Sequence, residues 1–280
     1  MQSGWAFLPI YAGPILLLLL APGFLHRLGR AVLQERATTV SDFIAARFGH
    51  DIVVARLVTL IALLGSIPYL ALQLRSIGNA LSLVSGSAIA VPAMVAASIL
   101  LTLFALLFGA RRFELAGRSE GLLFAIGLDS AFKIVALGVV AVLALILLAG
   151  AEPARIASGA AQMRANFAPG NISLDVMTVL LVSVFAIVAL PRQFYMSFVE
   201  ARAEDDMLRA RHGLAAYLAA MALMIVPIAL AGHALLPEGT SPDLYVLRLP
   251  DWVGSELALA AALLGGVGAA ASMAIVDTTA

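Results

Sequence analysis

Residues 121–150 read GLLFAIGLDSAFKIVALGVVAVLALILLAG, and only Asp129 and Lys133 in this stretch carry a charge. An α-helix rises 1.5 Å per residue, so about 20 apolar residues are enough to cross a hydrocarbon core of roughly 30 Å. The stretch therefore predicts a membrane-spanning helix.

Six further apolar stretches of similar length flank this one, at residues 5–25, 57–74, 87–110, 172–190, 213–237 and 257–276. The 280-residue chain is 62% hydrophobic and 12% charged, whereas about a quarter of a soluble domain is charged. The sequence thus predicts an all-α polytopic membrane protein, with seven transmembrane helices in one transmembrane domain over residues 1–280.

The arginines predict the orientation, because positively charged loops stay on the cytoplasmic side. Twelve fall in the odd-numbered loops and four in the even-numbered ones. The first set is Arg27, Arg30, Arg36, Arg47, Arg56, Arg111, Arg112, Arg118, Arg192, Arg202, Arg209 and Arg211, and the second is Arg75, Arg155, Arg164 and Arg248. The N-terminus is therefore expected outside and the C-terminus inside.

Several classes of function find no support in the composition. The chain has no cysteine, which excludes disulfides and thiolate metal sites, and its net charge of zero gives no indication of nucleic-acid binding. Phosphate-binding glycine loops, nucleophile elbows and zinc-protease motifs are missing too, so no enzyme is predicted in this chain. The short polar ends suggest an internal piece of a larger membrane protein, truncated at both ends.

The loops carry weaker patterns. Residues 38–49 predict either a short amphipathic helix on the membrane surface, capped by Ser41 or Asp42 and ended by Gly49, or a plain connector. The outer loops 151–171 and 237–250 are rich in proline and glycine and are expected to be irregular.

Polar side chains inside the predicted spans are the candidate functional residues, because such groups usually face protein or water. Asp129 and Lys133 are one helical turn apart, which suits either a self-neutralising pair that joins two helices or part of an ion or substrate path. Tyr69 and Gln73 lie on one face of a span loosened by Pro68. They fit a cavity lining and interhelical hydrogen bonds equally well.

The stretch Leu190 to Phe194 contains Pro191, Arg192 and Gln193 at the point where an apolar run ends. Proline breaks the backbone hydrogen bonding while the two following side chains supply donors, so this segment could bind a carboxylate. Alternatively, Arg192 marks the cytoplasmic interface. In the seventh span, the small residues from Gly265 to Ser272 predict close helix packing.

Taken in order, five segments resemble the sodium:solute symporter family. They are residues 38–49, residues 68–75, Phe108 to Arg112 ahead of Glu120-Gly121, Leu190 to Phe194, and Ala271-Ser272-Met273. The second and fourth are most similar to the branch in which the transporter domain is the N-terminal part of a sensor histidine kinase. The resemblance covers nearly the whole chain.

This resemblance implies a LeuT-type fold of two inverted five-helix repeats, with the binding site at the midplane between them. The seven spans would match the second through eighth core helices. The first core helix, which contributes to both substrate and sodium sites in the family, and the last two would lie outside this chain. The fragment alone is then not expected to transport.

The resemblance also assigns roles to residues. Tyr69 and Gln73 on the third core helix, and Pro191, Arg192 and Gln193 on the sixth, would border the substrate. Gly268 and Ala269 occupy positions where family members carry sodium-binding hydroxyl groups, and Ser272 is the nearest remaining hydroxyl. Glu120 stands close to an acidic position on the sodium exit route of the family, and with Asp129 and Lys133 it is a candidate for the ion path.

The expected function is transport of a small organic solute, an amino or carboxylic acid, by alternating access with sodium or proton coupling. The alternative is a solute-sensing module of a sensor histidine kinase, whose kinase domain would be the cytoplasmic partner. No cofactor is expected other than a sodium ion near Gly268, Ala269 and Ser272 if sodium is the coupling ion. The expected location is a bacterial inner membrane, with solute and lipid as partners and no nucleic acid.

Overall fold

The computed structural model describes residues 4–85, 90–104 and 120–279, and these residues are helical with no strand among them. Among the described residues, four helices are long and apolar enough to cross a membrane, and the number is six if each of two bent helix pairs forms one span. These features are consistent with an all-α, multi-pass membrane protein. The predicted stretch 87–110 is helical from Ala90 to Phe104, and its remainder lies outside the described residues.

Twelve α-helices are present in the described part of the chain. In order they are α1 Phe7–Leu20, α2 Pro22–Glu35, α3 Val40–Arg47, α4 Ile52–Ser85, α5 Ala90–Phe104, α6 Glu120–Ala149, α7 Pro153–Asn166, α8 Leu174–Ala189, α9 Pro191–Phe194, α10 Asp206–Leu235, α11 Tyr245–Val253 and α12 Glu256–Thr279. A π-helical turn, Tyr195–Val199, follows α9 directly.

Prolines set two of the breaks between helices. The predicted first span, residues 5–25, contains a break, since α1 ends at Leu20 and Pro22 opens α2 at an angle of 82°. Proline disfavours the helical conformation of the residue before it, and Ala21 accordingly has a non-helical ψ of 46°. Likewise Leu190, before Pro191, is extended with ψ 132° and separates α8 from α9.

The two outer loops that were expected to be irregular contain helices α7 and α11, so that prediction is wrong. Pro153 occupies the first turn of α7, where a missing N–H costs nothing. Gly159 lies so close to α10 that a Cβ there would be 2.9 Å from the backbone nitrogen of Ala234. Proline and glycine therefore begin and pack this helix, although the same residues often break one.

Within residues 38–49, Val40–Arg47 form the helix α3, but neither predicted cap is correct. The Thr39 side chain accepts a hydrogen bond from the backbone N–H of Asp42 at 3.1 Å and is the N-cap. Ser41 is instead buried and accepts a hydrogen bond from the Thr59 hydroxyl at 3.0 Å. Gly49 follows the end of the helix with a φ of +70°.

The described residues form two compact units. Unit 1 comprises those within 1–19, 130–185 and 213–265, and unit 2 those within 20–129, 186–212 and 266–280. The core of unit 1 is formed by buried side chains from α6, α10, α11 and α12, among them Val140, Ile228, Leu249 and Ala262. These units are defined by contacts within the chain, whereas the predicted single transmembrane domain is defined by its place in a membrane. That domain stays a prediction.

The core of unit 2 positions the segment around Arg192. Phe194 is only 2% exposed, and its ring packs against those of Phe43 and Phe198, with centroids 5.6 and 5.7 Å away. Leu25 and Val32 of α2 are also buried. Phe194 belongs to the short helix α9, and its ring is packed among other aromatic rings. This packing fixes the position of α9, which contains Arg192.

Candidate functional site

Arg192 lies in the first turn after the break between α8 and α9. Its side chain is only 15% exposed and donates from Nη1 to Oδ2 of Asp277 at 3.3 Å. The Asp277 side chain, near the end of α12, is 8% exposed. A guanidinium and a carboxylate are therefore paired away from the surface of unit 2.

Tyr69 of α4 is a second neighbour of the Arg192 guanidinium. The guanidinium carbon lies 4.7 Å from the centre of the Tyr69 ring, within the range of a cation–π contact. The Tyr69 hydroxyl lies 2.7 Å from the sulfur of Met273, which is one turn before Asp277 on α12. We call Tyr69, Arg192, Met273 and Asp277 the Arg192 cluster.

A second polar group, formed by Asp129, Gly268 and Ser272, is here called the Asp129 cluster. The Ser272 hydroxyl is 2.6 Å from Oδ2 of Asp129 and 3.2 Å from the carbonyl oxygen of Ala269. A hydroxyl has one proton, so the two acceptors share it. Gly268 comes so close that a Cβ there would lie 2.9 Å from Oδ1 of Asp129.

Both clusters use α12. At 1.5 Å per residue, the five residues from Ser272 to Asp277 put the two polar groups roughly 7.5 Å apart along the helix axis. The Arg192 cluster is charge-balanced by its own members. In the Asp129 cluster, α12 brings the Ser272 hydroxyl and the backbone of Gly268 close to the carboxylate.

The structure therefore joins several of the predicted residues. Tyr69 meets Arg192, and Asp129 meets Gly268 and Ser272. Gln73 and Gln193 are partly buried on α4 and α9, and their side chains form no hydrogen bond within the described part of the chain.

The remaining predicted residues are Pro191, Lys133 and Glu120. Pro191 is the first residue of α9, and Lys133 is partly buried on α6, one turn after Asp129. Glu120 begins α6, and its side chain lies outside the described residues, as do Gly117, Arg118 and Ser119.

Asp277 and Met273 were not recognised as site residues from the sequence. A signal for Asp277 existed, because a buried arginine needs a counter-ion and Asp277 is the acidic residue at the end of the seventh span. Nothing in the sequence marks the Tyr69 hydroxyl as a neighbour of Met273, since 204 positions separate them.

Glu200 is a further buried carboxyl group that sequence reasoning missed. It is 7% exposed and directly follows the π-helical turn. Its Oε1 accepts a hydrogen bond from the Tyr195 hydroxyl at 2.5 Å, and its Oε2 has no hydrogen-bond partner among the described residues. The group lies in the segment that was predicted to be a cytoplasmic loop.

The Asp129 carboxylate, the Ser272 hydroxyl and the Ala269 carbonyl bring three kinds of oxygen together. Oxygen atoms are the ligands that hard cations prefer. Among the described residues, no group of three or more histidine, aspartate or glutamate side chains is arranged to hold a metal ion.

The chain was also compared with known proteins. No family model, curated protein or solved structure matches it.

Proposed function

We propose that this chain belongs to the membrane domain of a secondary transporter that carries a small organic solute with a carboxylate group, an amino or carboxylic acid, by alternating access. The observation that supports this most directly is Arg192, a partly buried guanidinium at a broken helix, paired with Asp277 and stacked on Tyr69. A second support is the ordered set of motifs that resembles the sodium:solute symporters.

The chemistry of Arg192 suits a carboxylate ligand. Guanidinium presents five N–H donors in a planar fork that matches a carboxylate, and it stays charged at every physiological pH. Hydrogen bonds between a guanidinium and a carboxylate are also roughly twice as strong as hydrogen bonds between neutral groups. In this proposal Arg192 binds the solute carboxylate, while Tyr69, Gln73 and Gln193 border the rest of the solute.

The helix break supports the transport step. Irregular backbone at membrane depth is tolerated where it is buried in protein or lines a water-filled cavity, and broken helices form the solute sites of many transporters. Pro191 supplies such a break immediately before Arg192. In this proposal the broken segment changes its packing as the site opens to one side of the membrane and then to the other.

The coupling ion in this proposal is sodium or a proton. Asp129, Ser272 and the Ala269 carbonyl would hold a sodium ion, and Asp129 or Glu120 would carry a proton.

Uptake by the full-length protein in proteoliposomes tests the proposal. The probes are ¹⁴C-labelled L-alanine, L-proline, acetate and succinate, offered with and without inward sodium and proton gradients. We expect saturable uptake of at least one probe, and a loss of at least tenfold in Arg192→Ala. Lys retains the charge, so Arg192→Lys should keep part of the uptake. Unchanged uptake in Arg192→Ala would remove Arg192 from the site.

The sensing alternative is favoured by one observation, namely that residues 68–75 and Leu190 to Phe194 most resemble the kinase-linked branch. The same preparation distinguishes the two functions. If a probe raises the unfolding temperature of the full-length protein in detergent but does not enter proteoliposomes, the protein senses the solute without transporting it.

A further inference from the structure

The Arg192–Asp277 pair already satisfies the arginine, so a solute carboxylate has to take the place of Asp277. The two side chains are 15% and 8% exposed, and the pair is neutral as a whole. If a solute carboxylate were added and nothing else changed, three charges would remain in this place and their sum would be negative. A second event must therefore restore neutrality.

We propose that a monocarboxylate solute, which has no ammonium group, displaces Asp277 from Arg192 and that the released Asp277 carboxylate takes up one proton, so that one solute anion and one proton move together. This inference rests on the proposed transport function and specifies its coupling. Asp277, which the sequence did not single out, becomes the residue that couples the proton to the solute.

The contact between Arg192 and Asp277 suits such an exchange. It is made by one guanidinium nitrogen, Nη1, at 3.3 Å, which is longer than the usual 2.7–2.9 Å of a charge-assisted hydrogen bond. The bond between Asp277 and Arg192 is therefore weaker than the bidentate pair that a free carboxylate can form. A solute carboxylate can thus compete with Asp277 for the same arginine.

The Tyr69 ring keeps the guanidinium in place during the exchange. The guanidinium carbon of Arg192 lies over this ring, 4.7 Å from its centre, whereas Asp277 contacts the guanidinium through Nη1. A cation–π contact depends on the charge of the arginine and is independent of which carboxylate is bound. Arg192 can therefore change partners without leaving its position.

The charges and the proton balance in each state. Before exchange, Arg192 is positive and Asp277 is negative. After exchange, the solute carboxylate neutralises Arg192, and a proton from water forms an O–H bond on Asp277, so the sum is again zero and no covalent bond is broken. A carboxylate that stayed charged and buried without a partner would be strongly unfavourable, and protonation removes that cost.

Among the described residues, Arg192 and Tyr69 are the charged and titratable groups nearest to Asp277. Arg192 contacts it from α9, and Tyr69 of α4 lies behind the guanidinium. Asp129 of α6 meets α12 at Gly268 and Ser272, five or more residues before Asp277. The exchange is therefore assigned to Asp277, because it is the carboxylate that Arg192 releases.

The decisive experiment separates solute exchange from proton-driven accumulation in the full-length protein. Asp277→Asn keeps an oxygen that can accept from Arg192 but cannot take up a proton. The exchange of internal for external labelled acetate by this variant is measured as its reference rate. We expect accumulation driven by an inward proton gradient, divided by that exchange rate, to be at least tenfold lower than in the parent protein.

The matched control is Asp205→Asn. Asp205 also pairs with an arginine, Arg209, at 2.9 Å, but the two side chains are 44% and 72% exposed. This variant should accumulate solute as the parent protein does. Asp277→Glu, which retains a titratable carboxyl group, should keep proton-driven accumulation at a reduced rate.

Each outcome decides the question. Proton-driven accumulation by Asp277→Asn equal to that of the parent overturns the inference, as does uptake by the parent that needs sodium and ignores the proton gradient. If Asp277→Asn fails to fold, proton uptake by the parent protein on solute binding, followed with a pH indicator in detergent, replaces it. One proton per solute is expected, and none contradicts the inference. If the parent protein neither takes up nor binds any probe, the proposed function itself fails.

Discussion

The Arg192 cluster and the Asp129 cluster solve the same problem in different ways. Each places a carboxylate inside a protein with apolar helices, where an isolated charge is costly. Asp277 is neutralised by the opposite charge of Arg192, whereas Asp129 receives a neutral hydroxyl and the close approach of a glycine from α12. The comparison teaches that a carboxylate paired with an arginine can be replaced there by a second carboxylate, because the guanidinium can bind either one.

The largest expected effect comes from Arg192→Ala. It leaves Asp277 buried without its partner, and breaking one half of a buried pair costs roughly 3–5 kcal/mol. We expect the unfolding free energy in detergent to fall by about this amount. The double variant Arg192→Ala with Asp277→Ala should recover part of the loss. Losses that simply add in the double variant would show that the two residues do not interact.

A smaller effect is expected from Ser272→Ala, which removes the hydroxyl that donates to Asp129. A hydrogen bond to a charged group contributes about 1.5–3 kcal/mol. Ser158→Ala is the control, since Ser158 is exposed and bonds only to the carbonyl of Arg155, so it should change stability by about 0.5 kcal/mol or less. Equal effects in chemical unfolding would mean that Ser272 does not stabilise Asp129.

Gly268→Ala tests whether the close approach of α12 to Asp129 matters. The added methyl group would meet Oδ1 at 2.9 Å and push the carboxylate aside, and such overpacking costs about 1–3 kcal/mol, partly offset by the higher helix propensity of alanine. Gly266→Ala is the matched control, because its Cβ would meet nothing within 4 Å. Gly266→Ala should be neutral or stabilising in thermal unfolding. A Gly268→Ala variant as stable as this control would contradict the close approach.

The smallest effect is expected from Tyr69→Phe, which keeps the ring beneath Arg192 and removes only the hydroxyl. Thioether sulfur is a weak acceptor, so the loss should be below about 1 kcal/mol. Tyr69→Leu removes the ring as well and should cost more, by roughly the 0.5–2 kcal/mol of a cation–π contact. If the two variants lose equal stability, the ring does not hold the guanidinium.

The candidate site was only partly predictable from the sequence. Arg192, Tyr69 and Asp129 were found because a polar residue in an apolar run is conspicuous whatever it contacts. Asp277 was missed because it stands at the end of a span, where an acidic residue is ordinary. Asp277 is 85 positions from Arg192 in the sequence, and only folding of the chain brings the two side chains together.

The helix boundaries show the same limit. Long apolar runs predicted α4, α6, α10 and α12, since length and hydropathy are local properties of the chain. Proline and glycine misled the prediction in α7, because their effect depends on context. Pro153 lies in the first turn, and Gly159 packs against Ala234.

The sequence by itself determined that the chain is built of long apolar helices with a few polar residues inside them. The energetic cost of placing peptide groups and charges in hydrocarbon leaves no other arrangement for such a composition. Only the tertiary structure decided the partners: Arg192 with Asp277 and Tyr69, and Asp129 with Ser272 and Gly268. Pairing is decided by which helix faces pack together, and that depends on contacts between residues far apart in the chain.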